Sequence, residues 1–338
     1  MKSLSRHRGG RTMAMRIICP RTGGPDVMEC EDIEPGAPGP GEIRVRHSAI
    51  GLNYIDTYFR TGLYPSPVGL PLPLGLEAAG TVTAIGDGVT DLAVGQRIAY
   101  GTGPLGAYST ERNMPAATVV PIPDTIDDNT AAAMMLKGMT AQYLLRQTYK
   151  VRDGDTILFH AAAGGVGLIA CQWAKKLGAT VIGTAGSKEK AELARANGAD
   201  HVILYNEEDF AERVREITGG KGVPVVYDGV GQSTFMKSLD CLQPRGLMVS
   251  FGNASGPVAE FNLGVLTQKG SLYVTRPSLM TYTASVEDLR ACAADVIDVI
   301  GSGDVKIDVN QTFPLRDVRA AHEALEGRKT TGATVLLP

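Results

Sequence analysis

The sequence predicts an α/β protein in which a doubly wound parallel sheet is inserted into a β-rich, barrel-like domain. Three observations predict it. Short apolar strand runs alternate with amphipathic helical stretches over 156–177, 180–197, 201–217, 223–242 and 247–251, the order that builds a parallel sheet. Residues 15–130 carry many short strand signals and no long helical period, the pattern of a β-rich domain. After 276 the chain returns with two helical segments and a last strand, so the parallel sheet interrupts the first domain. The expected division is a disordered N-terminal extension over 1–14, a first domain of 15–130 and 276–338, and a parallel-sheet domain of 131–275.

The elements follow in order. Met15–Cys19 is the first strand signal. Glu42–Arg46 alternates as a half-buried strand after the Pro/Gly-rich stretch 35–41, and Gly80–Ile85 and Gly95–Tyr100 are further strands. Pro121 and Pro123 close that region. Residues 131–149 read as a helix, with apolar Met134, Met135, Leu136, Tyr143, Leu144 and Leu145. Thr156–His160 is a buried strand, followed by Gly164, Gly165 and Gly167 in a turn. Leu168, Trp173 and Leu177 then suit one helix face, and Gly178 suits the helix end. Residues 179–184 add a second strand, completing β-α-β. Tyr273–Pro277, a helix over 285–301, a helix over 320–327 and a strand over 333–337 complete the chain.

Composition narrows the function. The 338 residues suit two domains, and 43% hydrophobic residues can fill sizeable cores. The net charge of −3 disfavours a dedicated nucleic-acid binder. No run of 18 apolar residues occurs, so no transmembrane helix is expected. The five cysteines (19, 30, 171, 241, 292) are scattered without a C-x-x-C pair, which argues against a disulfide framework and against a cysteine-rich zinc site. Residues 1–13 are basic and polar and lack the apolar core of a secretory signal.

The glycine turn carries the chemistry. Glycines between strand and helix let a backbone approach a pyrophosphate, and the helix N-terminus offers N–H groups and a positive dipole end. The pattern is Ala162-x-Gly164-x-x-Gly167, with alanine at the usual first glycine. A tight turn with no ligand is the plainer reading of the same residues. NAD-selective sites place an acid near the end of the second strand. Here small residues lead into Ser187, Lys188 and Lys190 instead. Room, a hydroxyl and positive charge suit a 2′-phosphate, so NADPH is the expected cofactor.

Six segments carry a resemblance: 51–58 (GLNYIDTY), 136–140 (LKGMT), 161–167 (AAAGGVG), 226–231 (VYDGVG), 249–253 (VSFGN) and 273–277 (YVTRP). On these the chain, from about Met15 to Pro338, resembles the zinc-independent, ζ-crystallin-like NADPH:quinone oxidoreductases of the medium-chain dehydrogenase/reductase superfamily. The resemblance implies a Rossmann domain inserted in a GroES-like catalytic domain. It also implies roles. Asn53 and Lys137 would line the nicotinamide end, with Thr140 one turn on. Gly164, Gly165 and Val166 would hold the pyrophosphate. Gly186, Ser187 and Lys190 would surround the 2′-phosphate, with Tyr205 on the adenosine side. Phe251, Gly252, Val274, Thr275 and Arg276 would border the nicotinamide ribose, and Arg328 would return to the cofactor. Asn53, Tyr54 and Tyr64 would shape the substrate cleft, beside Tyr58. Gly229 is a departure, since bacterial relatives often carry serine there. Each residue also has a plain structural use: Asn53 as a turn cap, Lys137 and Arg328 as solvated cations, Tyr205 as a strand-end aromatic.

Zinc alcohol dehydrogenases share this fold, but Asn53 and Leu76 stand where their ligand motifs lie. Neither replaces a thiolate or an imidazole, so no metal is expected. The expected activity is NADPH-dependent reduction of a quinone in the interdomain cleft, in a cytoplasmic enzyme that forms a homodimer through the strand at 273–275 and does not engage membranes. A zinc-free enal or enone (alkenal) reductase is the enzymatic alternative. An RNA-binding or crystallin-like structural protein is the alternative of another class.

Overall fold

The structure is a computed structural model that describes residues 7, 8 and 11–338. Most of the expected extension over 1–14 lies outside the described residues. Contacts divide the chain into one unit of residues 1–136, 285–293 and 308–338, and another of 137–284 and 294–307. Two helices, Asp128–Tyr143 and Val286–Gly301, contribute residues to both.

The second unit holds a six-stranded sheet. Its strands are β1 (Thr156–Phe159), β2 (Thr180–Ala185), β3 (His201–Leu204), β4 (Val223–Asp228), β5 (Leu242–Ser250) and β6 (Tyr273–Thr275). All neighbours are parallel, in the order β3-β2-β1-β4-β5-β6. Helices α1 (Gly165–Lys176), α2 (Lys188–Ala196) and α3 (Phe210–Ile217) connect the first four strands. The middle of the sheet is apolar, as buried parallel strands require: Ile157, Leu158, Val181, Ile182, Val225, Val226, Met248 and Val249 are all buried. Leu158, Ile182, Ile203, Val226 and Met248 interlock in one core with Val214 of α3. The strand order reverses between β1 and β4, and ligands of such sheets bind beyond the strand ends at that reversal.

The first unit is β-rich. Its seven-stranded sheet runs Val120–Pro121, Arg97–Tyr100, Glu77–Ile85, Glu42–Leu52, Ala333–Leu337, Val309–Pro314, with Glu111–Pro115 also pairing Glu42–Leu52. A three-stranded sheet joins Ala14–Cys19 to Glu29–Ile33 and Leu72–Pro73. Ile17, Ile43, Val45, Ile50, Leu74, Val82, Tyr108 and Leu336 fill the core. The chain's last strand pairs antiparallel with Glu42–Leu52, so a segment nearly 300 residues away in sequence completes this sheet.

One element departs from its expected form. The helix over 131–149 is α-helical over Asp128–Tyr143 and then widens to a π turn over Leu144–Thr148. The Tyr227 hydroxyl of β4 donates to the Leu144 carbonyl at 3.1 Å. The same carbonyl accepts the Tyr149 N–H at 3.2 Å, the bond to the fifth residue on that defines the π turn.

Candidate functional site

The strand-to-helix turn of the second unit is built from its backbone. Ala161 sits in the left-handed region at φ 54°, which reverses the chain just after β1. The Ala162 N–H donates to the Thr184 carbonyl at 3.0 Å, and the Gly164 N–H to the Ala161 carbonyl at 2.8 Å. Gly164 begins α1 with no side-chain cap, and no acidic residue lies in the first turn. The positive helix end therefore meets no protein carboxylate of its own first turn, as an anion site requires. A Cβ at Gly167 would lie 2.4 Å from the Ala161 oxygen, so only glycine lets α1 begin this close to the strand end. Ala162, standing for the first glycine, is fully buried. A Cβ at Gly183 would meet the Ala162 methyl at 2.7 Å. The glycine missing from the turn is matched by one on the neighbouring strand.

Below the turn lies a buried polar network. His160 Nδ1 is 3.0 Å from Thr184 Oγ1, and its Nε2 is 2.9 Å from Ser238 Oγ. Burial pushes the His160 pKa down, and the ring bridges the two hydroxyls. Ser238 donates to the Thr234 carbonyl, and Thr234 Oγ1 donates to Asp228 Oδ2 at 2.7 Å. Asp228 Oδ1 accepts the N–H groups of Val230 at 2.7 Å and Gly231 at 3.1 Å. This network ties the ends of β1, β2 and β4 to one geometry.

On the side of β2, Ser187 caps α2 by accepting the Lys190 N–H at 3.3 Å. A Cβ at Gly186 would meet the Tyr205 hydroxyl at 2.6 Å, and Asn206 Nδ2 donates to the Gly186 carbonyl at 2.8 Å. Gly186, Ser187, Lys190 and Tyr205 are thus neighbours, and Asn206 is a member the sequence reading missed. On the side of β5, the Phe251 N–H donates to the Asp228 carbonyl at 2.8 Å. A Cβ at Gly252 would lie 2.3 Å from the Gly229 oxygen, and one at Gly229 would lie 3.0 Å from the Phe251 ring. Arg276 Nη1 donates to the carbonyls of Ser250 at 3.0 Å and Gly252 at 2.9 Å. Arg276 therefore fixes the Phe251–Gly252 segment, while Val274 and Thr275 pair with Met248 and Val249. Lys137 and Thr140 are buried polar side chains three residues apart, on one helix face.

The first unit carries the remaining residues. Asn53 is buried and begins the helix Tyr54–Thr61. Its N–H donates to Asp56 Oδ2 at 2.9 Å, and its Nδ2 to Glu77 Oε2 at 2.7 Å. Glu77 is fully buried, and its Oε1 accepts the Leu136 N–H at 2.8 Å. Tyr54 Oη donates to the Leu325 carbonyl at 3.1 Å. The same carbonyl accepts the N–H of Arg328, whose φ of 57° turns the chain after the helix Val318–Glu326. Tyr58 is buried, and its ring centroid lies 5.2 Å from that of Tyr64 and 6.4 Å from that of Tyr54. Leu76 is part of the apolar core. Among the described residues no three His, Cys, Asp or Glu side chains are grouped to hold a metal ion. The sequence reading missed Glu77, Asp228 and His160 as organisers. Their signal was a charged or polar side chain ending an apolar run.

The chain is similar to known proteins over nearly its whole length. Residues 39–124 match the model of the alcohol dehydrogenase GroES-like domain, and residues 165–295 that of the zinc-binding dehydrogenase. The chain is 59% identical to a quinone oxidoreductase of Pseudomonas aeruginosa, over 96% of this chain and 100% of that protein. It is 49% identical to a 2-haloacrylate reductase of a Burkholderia species, over 96% and 99%. The structure of Escherichia coli quinone oxidoreductase complexed with NADPH superposes with a TM-score of 0.94 at 52% identity, covering 96% of this chain and 100% of that one.

Proposed function

From a chain that belongs to the quinone oxidoreductases, we propose an NADPH:quinone oxidoreductase that works without zinc. Full-length similarity to a quinone oxidoreductase solved with NADPH carries the reading. The residues fit the cofactor: α1 begins at Gly164 with no acidic residue in its first turn, and Gly167 and Gly252 have no room for a Cβ, so the backbone lies close at both places. When bound, the reduced nicotinamide supplies a hydride. In this reading Gly164, Gly165 and Val166 hold the pyrophosphate: the Gly165 and Val166 N–H groups at the start of α1 face it, and Gly164, whose own N–H is held by the Ala161 carbonyl, lets the backbone approach. Gly186, Ser187 and Lys190 take the 2′-phosphate, and Tyr205 covers the adenosine. Phe251, Gly252, Val274, Thr275 and Arg276 shape the nicotinamide-ribose side, with Asn53, Lys137, Thr140 and Arg328 completing the grip. Tyr54 and Tyr64 border the acceptor. Without a Lewis acid an alcohol or simple ketone is poorly activated. A quinone is electron-poor, and a hydride together with one proton from solvent would convert it to a hydroquinone.

A second reading has a specific support. The 2-haloacrylate reductase relative acts on an activated alkene by its name. Such a substrate needs a proton delivered to the α-carbon. The Tyr54 proton is directed to the Leu325 carbonyl, so Tyr64 is the first residue to replace for this activity. Steady-state NADPH oxidation against a panel of quinones and alkenals, with and without a chelator, tests both. Turnover of quinones unaffected by chelator supports the first reading. Turnover confined to alkenals overturns it in favour of the second.

The reading includes a homodimer. Tyr273 is 61% exposed on β6, the last strand of its sheet, and such an edge offers unpaired backbone groups to a second copy. Sedimentation at the monomer mass would overturn it. No helix among the described residues is long and apolar enough to cross a membrane. The cytoplasm, where NADPH is kept reduced, is the expected location, and cell fractionation checks it.

A further inference from the structure

Glu77 has no assigned role, yet three separated segments meet at its carboxylate. Its Oε2 accepts from Asn53 Nδ2 at 2.7 Å, and its Oε1 accepts from the Leu136 N–H at 2.8 Å. Space for it is made by Gly51, where a Cβ would lie 2.2 Å from Oε2 and 2.3 Å from the Ala132 oxygen. Glu77 shows no surface to solvent, so its partners must come from the protein.

The chemistry of the pair is directional. An ionised carboxylate only accepts hydrogen bonds, whereas a carboxamide has a donating and an accepting end. Glu77 therefore dictates which end of Asn53 faces inward: Nδ2 toward the carboxylate, Oδ1 away from it. The Asn53 N–H is held independently by Asp56 Oδ2 at 2.9 Å. Backbone and side chain of Asn53 are both pinned. The second oxygen holds the helix Asp128–Tyr143 at Leu136, one residue before Lys137.

We propose that Glu77 is a positioning residue for the reduction reaction: it sets the orientation of the Asn53 carboxamide and the placement of the Leu136 turn, and it acts through Asn53 rather than on the substrate. The proposal rests on the reading that Asn53 borders the nicotinamide and the acceptor.

The decisive variant is Glu77→Gln, which keeps the shape but adds a donor. Glutamine can accept from Leu136 and donate to Asn53 Oδ1, which flips the Asn53 amide. A charge-assisted hydrogen bond is worth about one to two orders of magnitude in a rate constant. The expected result is a kcat lowered about tenfold or more, with the NADPH dissociation constant within about twofold of the native protein. Asn53→Ala should lose at least as much, and the double variant no more than about twofold beyond Asn53→Ala, because Glu77 acts through Asn53. Losses that multiply in the double variant, or a Glu77→Gln enzyme within twofold of native kcat, would overturn the proposal.

A swap separates positioning from mere stability. Asn53→Asp places two carboxylates together and should lower Tm. Adding Glu77→Gln to it restores a donor facing an acceptor, and should recover both Tm and part of the lost kcat. Recovery of Tm with no recovery of kcat would reduce Glu77 to a structural residue. The wild-type panel is run first. If only alkenals turn over, the quinone reading fails and the same cycle is measured with an alkenal, so the two failures remain distinct.

Discussion

Asp228 in the second unit and Glu77 in the first are both fully buried carboxylates at one end of a strand, but they recruit their partners differently. Asp228 binds residues two, three and six positions on: Val230, Gly231 and Thr234. Glu77 binds residues 24 and 59 positions away in sequence. The first is a local device that shapes one loop. The second joins segments that meet only when the sheet and the helix Asp128–Tyr143 have formed. A local cap keeps its geometry whenever its own strand is in place, whereas a remote clamp depends on the fold of its whole unit.

The largest effect should follow from Asp228→Ala. It strands two N–H groups and one hydroxyl beneath the turn at 161–167, at about 1–3 kcal/mol for each unpaired buried donor. Some of that is recovered because Thr234 Oγ1 also lies 3.2 Å from the Gly231 carbonyl. A loss of about 3–5 kcal/mol in urea unfolding is expected. A loss below about 1 kcal/mol would break the comparison by showing that the local cap is dispensable.

Acid provides an intermediate effect that separates the two units. In the first, burial pushes His47 down to about 4 and His322 down to about 3. In the second, burial also lowers His160, while nearby Asp228 opposes the shift. A histidine depressed in the fold is protonated first in the unfolded chain. Its contribution is therefore fully present above the unfolded value of about 6.5 and is lost as pH falls toward the folded value. For His47 alone this is roughly 3 kcal/mol between pH 6.5 and about 4. Trp173, the single tryptophan, is buried in α1 and reports only the second unit. Acid titration should change far-UV circular dichroism at a higher pH than Trp173 fluorescence. Trp173 responding first would reverse the assignment.

The smallest effect sharpens the local case. Asp228→Asn keeps one acceptor for the Val230 and Gly231 N–H groups, while Thr234 can turn its proton to the Gly231 carbonyl. A cost of about 1 kcal/mol is expected. A cost equal to that of alanine would mean that the charge, and not the acceptor geometry, holds the loop.

The same distinction explains what was legible. The turn at 161–167 and the alternation of strand and helix depend on residues a few positions apart. Their spacing is visible in the chain because neighbours within one turn or one strand face each other by geometry alone. The pairing of Ala162 with Gly183, the bridge from His160 to Ser238 and the grip of Arg276 on 250–252 depend on which strands lie side by side. A sequence reading could give Arg276 a ligand role from resemblance, but not its bonds to the Ser250 and Gly252 carbonyls. The π turn at Leu144–Thr148 was equally hidden, since the Tyr227 hydroxyl that meets it comes from β4.

The sequence by itself determined the architecture, the glycine turn between strand and helix, the acid-free end of β2 and the absence of thiolate or imidazole at positions 53 and 76. These follow from local spacing and from side-chain chemistry, which no neighbour can change. Only the tertiary structure decided that Glu77 orients Asn53 and that a buried histidine ties the strand ends together. A hydrogen bond requires its two groups within about 3 Å, and for residues far apart in the chain that distance is set by strand order and register.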